Sequence, residues 1–214
     1  MKTRHFVVSD LHLGHANVLK YEPIRVQKLS RWITYHYGPM NEREILEAVS
    51  SPDHPRFKQV VHWHNEMIID AWNSVVKDED IVFFLGDFCL TKNVERIKDW
   101  ASQLRGRKRM IMGNHDLRKE AFYMECGFES VCRWPVLYNR HIWLSHEPMP
   151  KELVPQGYIN FFGHVHSNTE FNWERGVCVS VEQLSDFRPI SIDTFIGDWH
   201  EIYPDRHNNN TNQA

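Results

Sequence analysis

Aspartate, histidine and asparagine recur in this chain at the ends of short apolar runs, where side chains can converge on a metal ion. The runs are His5-Phe6-Val7-Val8-Ser9-Asp10, Ile81 through Asp87, Arg109 through Asp116, His141 through His146, and Ile159 through His166. Asp10 and His12 lie two apart at a strand end, so both side chains leave the same face. Asp87 follows Gly86, which removes side-chain bulk where the backbone must come close to an ion. Asn114 offers a neutral carbonyl oxygen, and His146, His164 and His166 offer imidazoles. Mixed oxygen and nitrogen donors of this kind suit Mn, Fe, Zn or Ni better than the all-oxygen cages of Mg or Ca. There are enough of them for two ions, with one carboxylate left to bridge.

The elements that must position these groups follow from periodicity. Near-continuous apolar runs rich in β-branched and aromatic residues read as strands buried on both faces. In open α/β sheets a ligand sits beyond the carboxyl ends of the strands, so five polar clusters at five strand ends should meet at one point. Between the first two strands the chain reads as mostly helical. Val60, His64, Met67, Ile68, Ala71, Trp72 and Val75 predict a helix over residues 57–76. Asn41, with Glu44 three residues on, predicts a capping box for a helix through Val49. Val94, Ile97, Ala101 and Leu104 predict a helix ending near Gly106, and another is expected over 117–126 with Gly127 as its stop. Strand, site and helix alternate as in a layered α/β fold. Later, Asn139-Arg140 reads as a tight hairpin turn, and residues 171–173, 177–181 and 189–192 as further strands. The expected fold class is therefore α/β with two mixed sheets, parallel early and antiparallel late. With no repeat or linker in the pattern, residues 1–207 are expected to form a single domain. The tail 208–214, which has no apolar side chain before its final Ala214, is expected to be disordered.

Composition narrows the function classes. In 214 residues, 42% hydrophobic content is enough for a sizeable core. The net charge of −3 gives no broad basic field for gripping a nucleic-acid backbone. No apolar stretch reaches membrane-spanning length, and the N-terminus runs into a strand rather than a signal peptide. Cys89, Cys126, Cys132 and Cys178 show no CxxC spacing and read as reduced thiols. The expectation is a cytoplasmic enzyme.

Taken in order, Asp10-Leu11-His12, Gly86-Asp87, Gly113-Asn114-His115-Asp116, His146 and Gly163-His164-Val165-His166 resemble the signature of the calcineurin-like metallophosphoesterase family. The likeness spans roughly residues 5 to 195, and while each fragment is common, all five in order form a specific set. The resemblance implies an α-β-β-α sandwich of two mixed sheets flanked by helices. It also implies two divalent ions, with Mn the first expectation. One ion would be held by Asp10, His12 and His166 and the other by Asn114, His146 and His164, with Asp87 bridging. Two such ions, about 3.5–4 Å apart, share a hydroxide that attacks phosphorus in line. His115 resembles the family's catalytic histidine, and Asp116 is expected to accept a hydrogen bond from it. The expected substrate is a phosphomonoester or phosphodiester, a nucleotide among the candidates. Leu90 stands where the family often has a second aspartate, and Ser145-His146-Glu147-Pro148 replaces a frequent His-Gly-His. The opening Asp10-Leu11-His12-Leu13-Gly14-His15-Ala16-Asn17 resembles a compact, largely bacterial and phage subgroup, as do Trp72-Asn73 and Phe187-Arg188-Pro189-Ile190-Ser191. Residues 24–57 look like an insertion shaping the pocket rim.

Other candidates carry plainer alternatives. His15 and Asn17 are equally a phosphate-binding pair and ordinary loop residues; Arg118 is a candidate phosphate ligand or a solvated helix residue. His62 and His64 fall on different helix faces, His5 lies inside a strand, and Cys89 reads as an inert thiol. The tryptophans read as core rather than as a base-stacking platform. Two competing functions were weighed. A nuclease would call for a basic groove, and a non-catalytic binding module for a depleted ligand set; neither fits the residues above. Oligomeric state is not encoded in these patterns.

Overall fold

The computed structural model describes residues 3–196, so the expected tail at 208–214 lies outside the described residues. All five apolar runs contain strands. β1 (His5–Val8) is followed by α1 (Val18–Tyr21), α2 (Pro23–His36), α3 (Glu42–Ser50) and α4 (Phe57–Val75). Next come β2 (Ile81–Phe84), α5 (Val94–Gln103), β3 (Arg107–Ile111), α6 (Glu120–Glu125) and β4 (Phe128–Cys132). The last strands are β5 (Val136–Tyr138), β6 (Ile142–Leu144), β7 (Ile159–Phe162), β8 (Gly176–Cys178) and β9 (Ile190–Ser191). Among the described residues no helix is long and apolar enough to cross a membrane.

The strands form two mixed sheets, ordered β4-β3-β2-β1-β9 and β5-β6-β7-β8. β1, β2 and β3 are parallel neighbours in the first, and β6 and β7 are parallel neighbours in the second. Their carboxyl ends therefore lie at common edges. The expectation of antiparallel pairing late in the chain is corrected: β6-β7 and β7-β8 are parallel, and among the described residues the antiparallel strand pairs are β5-β6 and β1-β9. The long connections over 145–158 and 163–175 give room for the crossovers that parallel pairing requires. The strand expected at 171–173 is instead a single 3₁₀ turn, Thr169–Phe171, followed by a tight Trp173-to-Gly176 reversal. β4 escaped the periodicity because its exposed Glu129 and Ser130 interrupt the apolar run.

Local chemistry explains the helices that frame the site. Asn41 accepts from the Glu44 backbone N–H at 3.0 Å while the Glu44 carboxylate accepts from Asn41 N at 2.8 Å, closing the capping box on α3. α2 buries Val26, Leu29 and Ile33, and α4 buries Val60, Met67, Ile68 and Trp72. Trp72 Nε1 donates to the Arg105 carbonyl, while Asn73 bonds the backbone of Gln103 and Arg105, so this pair pins the turn that leads into β3. Asn139 and Arg140 both take positive φ, at 49° and 64°, as a hairpin of this twist demands. The two sheets share one buried core, and Tyr138 of β5 packs its ring 4.6 Å from Phe83 of β2.

Replacing Asn41 by Ala removes the side-chain half of the capping box, leaving the Glu44 carboxylate on the backbone N–H of residue 41, and is expected to cost about 1 kcal/mol. The urea midpoint should fall with an unchanged m-value, and Asn41→Ser should recover most of the loss.

Candidate metal centre

The backbone turns left-handed at five of the seven candidate ligand positions. Asp10, His12, Asp87, His164 and His166 all have positive φ, between 52° and 70°. For residues with a Cβ this conformation costs of order 1–3 kcal/mol each and persists only where the surroundings over-determine it. Here those surroundings are other parts of the site. Asp10 N and His12 N donate to the carbonyls of Gly86 and Asp87 at 2.9 and 3.0 Å, zipping the first loop onto the second. Asp10 Oδ2 accepts from His164 N at 2.9 Å and from Ser180 Oγ at 2.8 Å, which ties β1 to the second sheet. Asp87 Oδ1 accepts from His115 N at 2.9 Å.

Close approach between loops explains the motif glycines. A Cβ on Gly163 would lie 2.0 Å from Ser9 Oγ and 2.4 Å from Asp10 Oδ2. At Gly86, φ is +100° and a Cβ would meet Gly113 N at 2.4 Å. The crowding at Gly86 thus comes from a neighbouring backbone, where the sequence had suggested an ion.

With those loops locked, the remaining polar atoms face one another. His12 Nε2 is 3.8 Å from Asp10 Oδ1 and 3.5 Å from Asp87 Oδ2, and His146 Nε2 is 3.6 Å from Asp87 Oδ2. Ligand atoms of Asp10, His12 and His166 lie within 4.8 Å of one another, as do those of Asp10, Asp87 and His146. Asn114 Oδ1 is 2.9 Å from His146 Nε2 and 3.0 Å from His164 Nδ1, which gathers the second trio expected from the sequence. Asp10 Oδ1 and both His12 ring nitrogens are buried without any hydrogen-bond partner. Buried polar atoms are ordinarily satisfied, so the unpartnered Asp10 Oδ1 and His12 Nε2, which face each other beside Asp87 Oδ2, fit a cation that would complete them. The donor set of carboxylate, amide oxygen and imidazole suits a borderline divalent metal.

The electrostatics agree. Burial alone would raise the Asp10 carboxyl, but His12 facing it at 3.8 Å and the nearby His146 and His166 hold it well below the usual carboxylate range. Burial lowers His12, which keeps a lone pair free for coordination. Burial works against protonation of His166, yet its bond to Glu182 raises it. His146 Nδ1 lies 2.7 Å from the Leu85 carbonyl, an arrangement that makes Nδ1 the donor and leaves Nε2 facing the site.

Not every sequence expectation survives. Asp116 does not accept from His115; its carboxylate takes backbone N–H bonds from Asp87, Gly113 and Phe88 at 2.7, 2.8 and 3.0 Å. It is 3% exposed, and burial pushes it up to about 6 against the three donors that favour its ionised form. Asp116 therefore clamps the second and third loops together. His115 sits half-buried, its ring centroid 5.3 Å from that of His12 and 6.3 Å from that of His15. His15 is lowered to about 4, first by burial and then by His12 and His115, so it is neutral at pH 7. Asn17 is exposed and makes no side-chain cap bond at the start of α1. Arg118 is likewise exposed, bonding the Lys92 carbonyl and lying over the Phe122 ring. Neither is drawn into the cluster.

Sequence reasoning missed the supports. Asn160, fully buried on β7, bonds Met149 N, Ser145 Oγ and backbone carbonyls, and so fixes the turn that carries His146. Ser180, Glu182 and Arg25 brace Asp10 and His166 from below. An apolar strand interrupted by one asparagine was the only sequence signal for any of these. Cys89, as expected, is a buried thiol pushed up to about 12 by burial. His62 is an exposed ion-pair partner of Glu66, and His5 packs between Phe83 and Tyr138.

A family model described as calcineurin-like phosphoesterase matches residues 3–193. An uncharacterized protein of Methanocaldococcus jannaschii, MJ1445, is 28% identical over 200 residues, covering 89% of this chain and 88% of its own length. The gene 66 protein of Mycobacterium phage D29 is 24% identical over 225 residues, covering 92% and 89%. The crystal structure of a protein of unknown function from Aquifex aeolicus, AQ665, superposes with a TM-score of 0.58 at 21% identity, covering 92% of this chain and 99% of that one.

Gly163→Ala is expected to destabilise the protein by about 1–3 kcal/mol, because the new methyl group enters the space of Ser9 and Asp10. Denaturant unfolding reads the loss. A stability within about 0.5 kcal/mol of wild type would show that the loops can part without cost.

Proposed function

The chain belongs to the calcineurin-like phosphoesterase family, and on that premise we propose that it is a divalent-metal-dependent hydrolase of phosphomonoesters or phosphodiesters working at a dinuclear centre. The observation that carries this reading is the set of orphaned, buried donor atoms of Asp10 and His12 facing Asp87. Asp10, His12 and His166 would hold one ion and Asn114, His146 and His164 the other, with Asp87 between them. Bound there, two divalent cations, Mn the first to test and Fe, Zn or Ni the alternatives, would lower the pKa of water and neutralise charge on phosphoryl oxygens.

The remaining steps fall to the protein. Asp87 Oδ2, within 3.6 Å of both His12 and His146, is placed to serve both ions. His115 is anchored through its own backbone N–H to Asp87, while its ring stays half-buried beside His12 and His15. From there it would donate a proton to the leaving oxygen, or a hydrogen bond to the phosphoryl group as charge grows. Neutral His15 would add a further hydrogen bond to a phosphate oxygen. A cavity of about 380 Å³ beside Asn114 and His146, lined also by Arg133, Trp134 and Glu147, gives the organic part of a substrate room. The same reading takes residues 1–207 as one domain, supported by the core shared between the two sheets.

His115→Ala should lower turnover of a nitrophenyl phosphodiester with Mn by about 10²–10⁴-fold while leaving metal content unchanged by elemental analysis. Joint loss of activity and metal would make His115 a ligand instead. Asp87→Asn should weaken both ions together in a metal titration; loss of only one would end the bridging assignment.

A further inference from the structure

α2 lies in the stretch that the sequence suggested was a rim, yet it sends one charged side chain beneath the site. Arg25 has no exposed surface. A fully desolvated guanidinium is tolerable only where its donors are used, and here all three of its nitrogens meet acceptors. Nε donates to Glu182 Oε1 at 2.6 Å, and Nη2 reaches the same oxygen at 2.6 Å. Nη2 also donates to the Asp10 carbonyl at 2.5 Å, while Nη1 donates to the Leu11 carbonyl at 2.9 Å and faces His64 Nε2 at 3.2 Å.

Three of these acceptors lead directly to candidate ligands. The Asp10 and Leu11 carbonyls belong to the turn that holds Asp10 at φ 62° and His12 at φ 52°. Glu182 Oε1 also accepts from His166 Nδ1 at 2.9 Å, which leaves His166 Nε2 facing Asp10 Oδ1 at 4.0 Å. One planar fork therefore fixes the backbone under two ligands and, through one carboxylate, the ring of a third. Glu22, Glu182 and His166 also cluster within 4.8 Å, but the guanidinium against Glu182 already supplies the positive charge that a further cation there would bring.

Resting on the dinuclear reading above, we propose that Arg25 is the positioning residue of the Asp10–His12–His166 ion site, setting its affinity through the loop backbone and through Glu182. Arg25 acts through other groups and touches no reacting atom. A lysine keeps the charge, but its three donors sit on one nitrogen and cannot span two carbonyls and a carboxylate as the planar fork does.

The test is metal binding rather than turnover. Apo protein is titrated with Co²⁺, following heat and the visible absorption of the bound ion, for wild type, Arg25→Lys and Glu182→Gln. Wild type is expected to take up two ions. Arg25→Lys should bind one ion as wild type does and the other about 10–100-fold more weakly, with a changed absorption band for that ion alone. Glu182→Gln, which keeps the side chain's shape and removes the anion on His166, should weaken the same ion, and it carries the test if Arg25→Lys does not fold. Wild-type affinities for both ions in a folded variant overturn the proposal while leaving the metal centre standing. A wild-type protein that loads no ion overturns both.

Discussion

Two carboxylates, Asp10 and Asp87, are buried with ligand oxygens less than 5 Å apart, and the rest of the site answers that constraint. Like charges in a low-dielectric pocket repel strongly and must be met by donors, cations or protonation. One oxygen of each is met by protein. Ser180 and His164 N serve Asp10, and His115 N serves Asp87. The other two oxygens look into the space between His12, His146 and His166. Divalent cations held there would meet the repulsion between the two carboxylates.

Holding the geometry open takes a frame that cannot relax, and the frame is built at the meeting edge of two sheets. Parallel pairing of β1, β2 and β3, and of β6 and β7, brings the loops to a common edge. Glycines then let the loops touch, and Asp116, Asn160 and Arg25 bind them from behind with buried, multiply bonded side chains. The strain at five left-handed residues is tolerated because each loop is held by another, so these side chains come pre-arranged.

Much of this could be read before any coordinates existed. Five apolar runs, each ending in Asp, Asn or His, gave the strands and the convergence, because buried parallel strands need nothing beyond their own hydrophobicity. The Asn41 capping box and the Asn139-Arg140 turn were legible for the same local reason. Less legible was anything decided between distant segments. β4 is half-exposed and lacked the signal, and the parallel pairing of β7 with its neighbours depends on loop paths rather than on composition. Asp116 beside His115 in sequence suggested a dyad, but two N–H groups of the neighbouring loop and one of its own claim the carboxylate first. Nothing local marks Arg25, whose partners lie at positions 10, 11, 64 and 182.

The bond from Ser180 to Asp10 spans most of the polypeptide. During synthesis the first strand leaves the ribosome long before its hydroxyl partner, or β9 beside it, has been translated. A nascent chain therefore carries its acidic pocket half-walled until residue 180 has emerged, so the centre assembles after the first strand and its neighbours rather than seeding them.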